Sequence, residues 1–527
     1  MAYRHRDRLS FAAAFVGSAC IVLVAGVLYA VLRAPAVPRP RGLITVVEEI
    51  KREIAPPAAA RPPADRDSAR VPATAETATD NFAPPQRLAS APPPAADIGA
   101  ATRAAAVSAP ETSTVAIKSN VASPGNSASR ASAPPPGGAE RAQRGLVILQ
   151  IGDSHTAADY FTGELRRKLQ ARYGDGGVGY IDAGKPTVGV RSGTMRITAS
   201  AGWTYRAIQR SESVGEFWLS GFNAVTGKAG EVLTFASDNP VPFDEIEIEA
   251  LRQPNGGEIE ISLDGTVKSS ADLNGSSTQP VVLRLKPDGA PSDRVKTLEI
   301  RTRREGAVTI ASIGIYQKQS GVSFNNVGYP GATIDLINKF DASLMADDLR
   351  RLDPQIVVLA FGTNEASKPN FNAAAYERNY EKVIGRITAA LPNVRTILIG
   401  PPDGAERPWH CSGKGPADAP CHAAPPEGAS SVAEPPDCEW HTIAHLELVR
   451  DIERRIAERH GFTYWNWASI QPGQCASHQW VAASLMTPDH VHFTPAGYVK
   501  GANQFLEQAL IPTIEKLAVR PNIAAND

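Results

Sequence analysis

Four short stretches carry residue types that together suit acyl-transfer chemistry. The first is Gly152-Asp153-Ser154-His155, directly after the apolar run LVILQIG. A serine at a strand-to-helix turn projects its hydroxyl above the C-terminal edge of a sheet, where helix N-terminal N–H groups can stabilise an oxyanion. Taken alone, Ser154 reads equally as an N-cap, because Ser and Asp are favoured there. The second stretch is Asp489-His490-Val491-His492, with an acid three residues before a histidine in a loop leading into the last helix. A serine hydroxyl is a weak nucleophile until a base accepts its proton, and the resulting imidazolium needs an orienting carboxylate. His492 and Asp489 supply both; His490 is a rival base that the three-residue spacing disfavours. The remaining two are Gly331, in Gly328-Tyr329-Pro330-Gly331-Ala332, and Asn364, in Gly362-Thr363-Asn364-Glu365. Each follows an apolar, strand-like run and can direct a donor at one oxygen, Gly331 through its backbone N–H and Asn364 through its side-chain amide.

Positioning these residues requires strands that end at a common edge. LVILQIG, VSFNNVG, PQIVVLA, NVRTILIG and GFTYWNWA read as strands, and helical periodicity follows several of them, as around Leu165 and Leu169 and at 376–391 and 441–460. Alternating strands and helices imply an α/β fold with a parallel sheet covered on both faces. Between 187 and 319 the texture changes to short alternating runs such as DEIEIEALRQPNGGEIEISLDG, with turn residues between them. That pattern predicts an inserted antiparallel β-sandwich. The α/β domain is therefore expected in two parts, 144–186 and 320–520, with a second, Pro-, Ala- and Cys-rich insertion at 403–439.

The ordered set Gly-Asp-Ser-His, the later glycine, Gly-Thr-Asn-Glu and Asp-x-x-His resembles the four blocks of the SGNH (GDSL-type) hydrolases. The resemblance covers about 250 residues outside both insertions and implies a three-layer α/β/α domain. It assigns Ser154 as nucleophile, His492 as base, Asp489 as its partner, and Gly331 and Asn364 as oxyanion donors alongside the Ser154 amide. No cofactor or metal is implied. Glu365 departs from the pattern, since Asp is commoner after the asparagine. More narrowly, GDSHTAADYFTGELRRKLQARYGDGGVGY is similar to the opening of periplasmic peptidoglycan O-acetylesterases of Gram-negative bacteria, in which a carbohydrate-binding-like β-sandwich interrupts the hydrolase after the first block. The resemblance implies an O-acetylated cell-wall polysaccharide as partner.

The remainder of the 527 residues reads as a tether. Residues 11–32 form an uncharged apolar run preceded by Arg4, Arg6 and Arg8. The length suits a membrane helix and the flanking charge puts the N-terminus in the cytoplasm. Residues 1–10 are thus expected inside, 11–33 as a single span of the inner membrane, and the head in the periplasm; a cleaved signal peptide is the alternative. Residues 34–143 hold 18 of the 43 prolines and one aromatic, Phe82. Such a segment cannot offset the entropy of ordering itself, and as a disordered linker it would reach about 60 Å, with a short helix at 43–54 as one exception. Cys20 lies in the apolar run. Cys411, Cys421, Cys438 and Cys475 are an even set in the exported part, read as two disulfides of open connectivity.

Other signals read blandly. With 54 Lys+Arg against 55 Asp+Glu the net charge is −1, and no global field favours nucleic acid. Gly174 to Gly179 match G-x-G-x-x-G but follow a helix, so the segment reads as a loop. His441 and His445 lack the glutamate of a zinc-binding HExxH. His155 either lines the cleft or packs beneath the first helix, and Trp465, Trp467 and Trp480 read as core before sugar-stacking surfaces. The expected activity is a serine esterase removing O-acetyl groups. Its rivals are an O-acetyltransferase with the same triad, a general esterase of lipids or small esters, and a non-catalytic wall anchor, which the intact set of five residues disfavours.

Overall fold

The computed structural model describes residues 145–518 apart from 185–188, 212–216, 288–292, 318–320, 408–410, 412–418, 425–437 and 472, together with the backbone of Ser113–Ala116. In chain order the α/β domain runs β1 (Leu146–Gly152), α1 (Ser154–Ala157), α2 (Phe161–Tyr173), β2 (Val322–Gly328), α3 (Ala342–Leu352), β3 (Ile356–Ala360), α4 (Thr363–Ala366), α5 (Ala373–Ala390), β4 (Arg395–Gly400), α6 (Leu446–His460), β5 (Thr463–Asn466), α7 (Ala476–Ala482) and α8 (Pro495–Phe505). The five strands are parallel, in the order β2-β1-β3-β4-β5. The central strands β1 and β3 are nearly continuous apolar runs, as strands buried on both faces are. Alternate residues serve opposite layers. Leu149, Ile151, Val357, Leu359 and Leu398 share a core with side chains of α3, α5 and α6. Ile148, Phe324, Ile356, Val358, Ile397 and Ile399 pack with side chains of α2 and α8.

The expected boundaries shift in two places. Helix α6 begins at Leu446, not His441, because His441 belongs to the short strand Trp440–Thr442. The sandwich begins before 187: Gly179–Asp182 pairs antiparallel with Ser312–Ile315 and so joins the insertion's sheet. A four-residue run is too short for its alternation to distinguish the two domains.

The insertion is a pair of sheets around one apolar core. A seven-stranded sheet is ordered Ser113–Ala116, Gln279–Leu285, Glu245–Arg252, Val308–Tyr316, Phe222–Thr226 and Thr204–Ala207, with Gly179–Asp182 also on Val308–Tyr316. Its first strand comes from within the stretch read as linker and lies parallel to its neighbour. The facing sheet is ordered Thr266–Asp272, Glu258–Leu263, Asp293–Thr302, Val232–Phe243 and Arg196–Ala199. The apolar run 11–32 and the segment 43–54 lie outside the described residues. No helix among those described is long and apolar enough to cross a membrane.

Alternation in EIEIEALR would leave its glutamates in water, yet Glu245, Glu247 and Glu249 are buried. Their face of the sheet packs on the α/β domain. Arg351 of α3 bridges Glu247, Glu249 and Asp348, and Arg284 pairs with Glu245 at 3.1 Å and Glu247 at 3.0 Å. Removing one partner of a buried ion network strands the others. Arg351→Met should therefore lower stability by about 3 kcal/mol, read by denaturant unfolding of the full chain. A loss under about 1 kcal/mol would mean that the carboxyl groups take up protons instead.

The Cys-rich insertion forms a small sheet of Ala405–Glu406, Trp440–Thr442 and Cys421–His422. Its disulfides are Cys411–Cys438 and Cys421–Cys475. The second ties the insertion to the residue preceding α7.

Candidate active site

Strand register brings the four stretches together. Gly152 of β1 is level with Gly328 of β2 and Ala360 of β3. The loops bearing Ser154, Gly331 and Asn364 thus leave the sheet at one edge, around the β1/β3 switch point where open α/β sheets bind ligands. Close packing fixes α1 there. A Cβ on Gly152 would lie 2.2 Å from Thr156 Oγ1 and 2.6 Å from the Ala360 carbonyl, and one on Gly328 would lie 2.1 Å from the Ala157 nitrogen. Only glycine permits this approach. Gln150 Nε2 donates to Thr156 Oγ1 at 2.9 Å from within β1.

The helix cap is Asp153, whose carboxylate accepts the His155 N–H at 3.0 Å. Burial pushes the Asp153 carboxyl up to about 6, against the lowering influence of the His155 N–H and the His492 charge. Ser154 is thereby relieved of capping, and its Oγ lies 2.9 Å from His492 Nε2. His492 Nδ1 lies 2.7 Å from Asp489 Oδ2. With Nδ1–H donated to the carboxylate, the Nε2 lone pair is left to accept the serine proton. Asp489 Oδ1 accepts Thr487 Oγ1–H at 2.6 Å, Val491 N–H at 3.0 Å and His492 N–H at 2.9 Å. Partial burial would raise the Asp489 carboxyl, but its bond to His492, that residue's charge and the other donors hold it well below the carboxylate range. His492 is displaced upward: burial opposes its charge, and Asp489 followed by Asp153 outweighs that opposition.

The rival His490 faces elsewhere. It is buried, donates Nδ1–H to the Pro488 carbonyl at 3.1 Å, meets His478 through Nε2 at 3.1 Å and stacks on Trp440 with centroids 3.7 Å apart.

Gly331 adopts φ 73°, a left-handed conformation suited to glycine, and its N–H makes no hydrogen bond among the described residues. Asn364 Nδ2 donates to the Ala332 carbonyl at 2.9 Å, which spends one amide hydrogen and aligns the other. Glu365 ties the two oxyanion loops together. Its Oε1 accepts Ile334 N–H at 2.7 Å and its Oε2 accepts Gly362 N–H at 3.0 Å. Burial pushes its carboxyl up to about 8, against those backbone donors. In the sequence Glu365 is visible only as a departure from a pattern. Thr487 and Gln150 are the other supporting residues that sequence reasoning missed; a hydroxyl two residues before Asp489 is the one local signal.

His155 packs beneath the site. Its Nδ1 lies 3.0 Å from the Tyr498 hydroxyl and its ring centroid 5.4 Å from that of His492. Burial, then the His492 charge, presses it down to about 3, so it stays neutral. Trp465, Trp467 and Trp480 are buried core. His441 lies in a strand and His445 donates Nδ1–H to the Ala366 carbonyl at 3.2 Å, so they do not form a helical pair. Gly174 to Gly179 form the loop leading from α2 into the sandwich. Among the described residues, no group of His, Cys, Asp and Glu is arranged to hold a metal ion.

Residues 314–500 match the model of the GDSL-like lipase/acylhydrolase family. That span takes in Gly331, Asn364, Asp489 and His492, and Ser154 precedes it, on the other side of the sandwich. No curated protein matches the chain. Among solved structures, a peptidoglycan O-acetylesterase is 24% identical over 71% of this chain and 92% of its own, with a TM-score of 0.53. A family two carbohydrate esterase from Cellvibrio japonicus is 12% identical over 62% of this chain and 99% of its own, with a TM-score of 0.23. A family 3 carbohydrate esterase from Clostridium thermocellum is 18% identical over 38% of this chain and 78% of its own, with a TM-score of 0.24. Residues 314–500 thus carry the signature of a GDSL-like acylhydrolase, a serine already hydrogen-bonded to its imidazole gives the head the catalytic arrangement of a carboxylic ester hydrolase, and the fold resembles that of a peptidoglycan O-acetylesterase.

Proposed function

We propose that the protein removes O-acetyl groups from a cell-wall polysaccharide, with peptidoglycan as the first substrate to test. The observation that carries this reading is the Ser154–His492–Asp489 chain of 2.9 Å and 2.7 Å contacts at the edge where Gly331 and Asn364 also emerge. The polymer is suggested by the fold likeness to a peptidoglycan O-acetylesterase and by the sandwich joined to the head. Export of the head is suggested by two disulfides and by the apolar run at 11–32. In this reading residues 11–33 anchor the chain in the inner membrane, and the stretch from 34 up to the sandwich strand Ser113–Ala116 tethers the head in the periplasm.

The mechanism follows from the proton path. Ser154 Oγ attacks the ester carbonyl as His492 Nε2 takes its proton, and Asp489 orients and stabilises the imidazolium. The Ser154 and Gly331 N–H groups and the Asn364 amide hold the oxyanion. Collapse of that intermediate expels the sugar alcohol with the proton from His492, and water repeats the sequence to release acetate and restore Ser154.

Acetate released from O-acetylated peptidoglycan tests the reading. The wild-type chain should release it, and Ser154→Ala should lower kcat by on the order of 10⁵–10⁶. Acetylated sugar oligomer formed in place of acetate would instead make the protein a transferase.

Asn364→Ala should lower kcat by about 10²–10³ with the fold intact, as seen by circular dichroism beside the rate. Full activity would remove Asn364 from the oxyanion site.

Because His492 must be neutral to accept a proton and its pKa is raised, the rate should climb with pH through a midpoint above the ordinary histidine value of about 6.5. Asp489→Asn should shift that midpoint down and lower kcat by up to about 10⁴. An unmoved midpoint in kcat/KM would assign the acidic limb to another group.

A further inference from the structure

His490 stands between the catalytic acid and base in sequence, and it carries the attachment of their turn to the rest of the chain. Its backbone takes φ 58°, a left-handed conformation uncommon for a residue with a Cβ. With the chain reversed there, Asp489 Oδ1 accepts both the Val491 and His492 N–H groups, while the His490 ring meets His478 instead of Ser154.

Three contacts hold His490 from outside the turn. Ala405 N–H donates to its carbonyl at 3.1 Å, the Trp440 ring stacks on its imidazole with centroids 3.7 Å apart, and His478 of α7 meets its Nε2 at 3.1 Å. Because Nδ1–H is spent on the Pro488 carbonyl at 3.1 Å, Nε2 is the acceptor and His478 Nδ1–H the donor. A proton on Nε2 would set donor against donor. Burial foremost, with His478 and Arg407, displaces His490 downward, against the Pro488 carbonyl and Asp489. The ring therefore stays neutral while His492, displaced upward, titrates.

The supports are themselves linked. Ala405 and Trp440 belong to the small sheet of the Cys-rich insertion, where the Arg407 guanidinium lies 4.2 Å from the Trp440 ring centroid. Asp403 Oδ2, at the start of that insertion, accepts the Ser477 N–H of α7 at 3.1 Å. The Cys421–Cys475 disulfide then joins the strand Cys421–His422 to the residue before α7. The catalytic turn is gripped by two elements that are covalently bonded to each other.

We propose that His490 is a positioning residue: its ring, anchored on Trp440 and His478, sets the Asp489–His492 pair, and the Cys421–Cys475 disulfide keeps those two supports together. The inference rests on the esterase reading and gives the Cys-rich insertion a part in the reaction.

The experiment follows kcat, KM and the pH dependence of kcat/KM on the full chain with p-nitrophenyl acetate, whose turnover needs no wall polymer. His490→Asn removes the ring but keeps a residue tolerant of the left-handed backbone. It should lower kcat by about 10² with KM little changed. It should also move the pH midpoint down towards the ordinary histidine value of about 6.5, because Asp489 no longer holds His492 as closely. Replacing Cys421 and Cys475 together by Ser should produce both changes to a smaller degree. Added to His490→Asn, it should cost little more, since both act along one path. A wild-type rate in His490→Asn, a lowered kcat with an unmoved midpoint, or effects of the two changes that simply multiply would each overturn the inference and leave the esterase reading in place. Should circular dichroism show His490→Asn unfolded, the disulfide variant decides alone: unchanged kcat and midpoint overturn the inference, and lowering of both supports it. A wild-type chain that hydrolyses neither p-nitrophenyl acetate nor O-acetylated peptidoglycan would overturn the esterase reading and this inference with it.

Discussion

The hydrogen bond between Ser154 Oγ and His492 Nε2 joins residues 338 apart in sequence, and most of the α/β domain can be understood as what holds its ends in place. On the serine side, three strand ends are level to the residue, and two glycines remove the side chains that would push α1 away. The histidine side is a short loop closed by its own backbone. Thr487 N–H donates to the His492 carbonyl at 2.8 Å, and Met486 bridges Phe493. Phe493 is buried in the α2/α8 layer, so the imidazole is set by the same core that supports the sheet.

The acids behind the site show how charge is managed there. An oxyanion forming near a fixed carboxylate would be repelled, yet Asp153, Glu365 and Glu453 all lie buried in this region. Burial raises each of them, and Glu453 additionally accepts the Tyr376 hydroxyl at 2.6 Å. At neutral pH Glu365 is therefore largely uncharged while still accepting two backbone N–H groups. It supplies geometry to both oxyanion loops without the field that an ionised group would impose. Asp489, by contrast, is half-exposed and kept ionised by hydrogen bonds, as stabilising an imidazolium requires.

Much of this was legible in the sequence because it is local. The spacing of Asp489 and His492, and the runs that end at Ser154, Gly331 and Asn364, are patterns of a few residues. Relations between distant segments were not legible. Cysteine spacing cannot show that Cys421 pairs with Cys475, and alternation in EIEIEALR says that one face is polar but not that α3 brings Arg351 to it. The capping role of Asp153 was hidden for a different reason: neighbouring Ser and Asp are both good caps, and only the direction of His492 decides which is free. The anchoring of His490 has no local signature, since Trp440 and His478 reach it from separate segments.

The splice between the two domains also has a consequence for the order in which the chain folds. Strands β1 and β2 are adjacent, with Leu146 opposite Val322, yet all of the sandwich except the strand Ser113–Ala116 lies between them in sequence. Both strands of the splice meet at a narrow neck, where Gly176 N–H donates to the Val322 carbonyl, Val322 N–H to the Gly174 carbonyl and Gln317 N–H to the Gly176 carbonyl, at 3.1, 2.9 and 3.1 Å. An unfolded sandwich would make this pairing the closure of a very long loop, with the entropic cost that entails. A folded sandwich pins the two ends within a few residues of each other and turns a non-local strand pairing into an effectively local one. The insertion is in this sense a clasp, and nucleation of the parallel sheet should follow its closure.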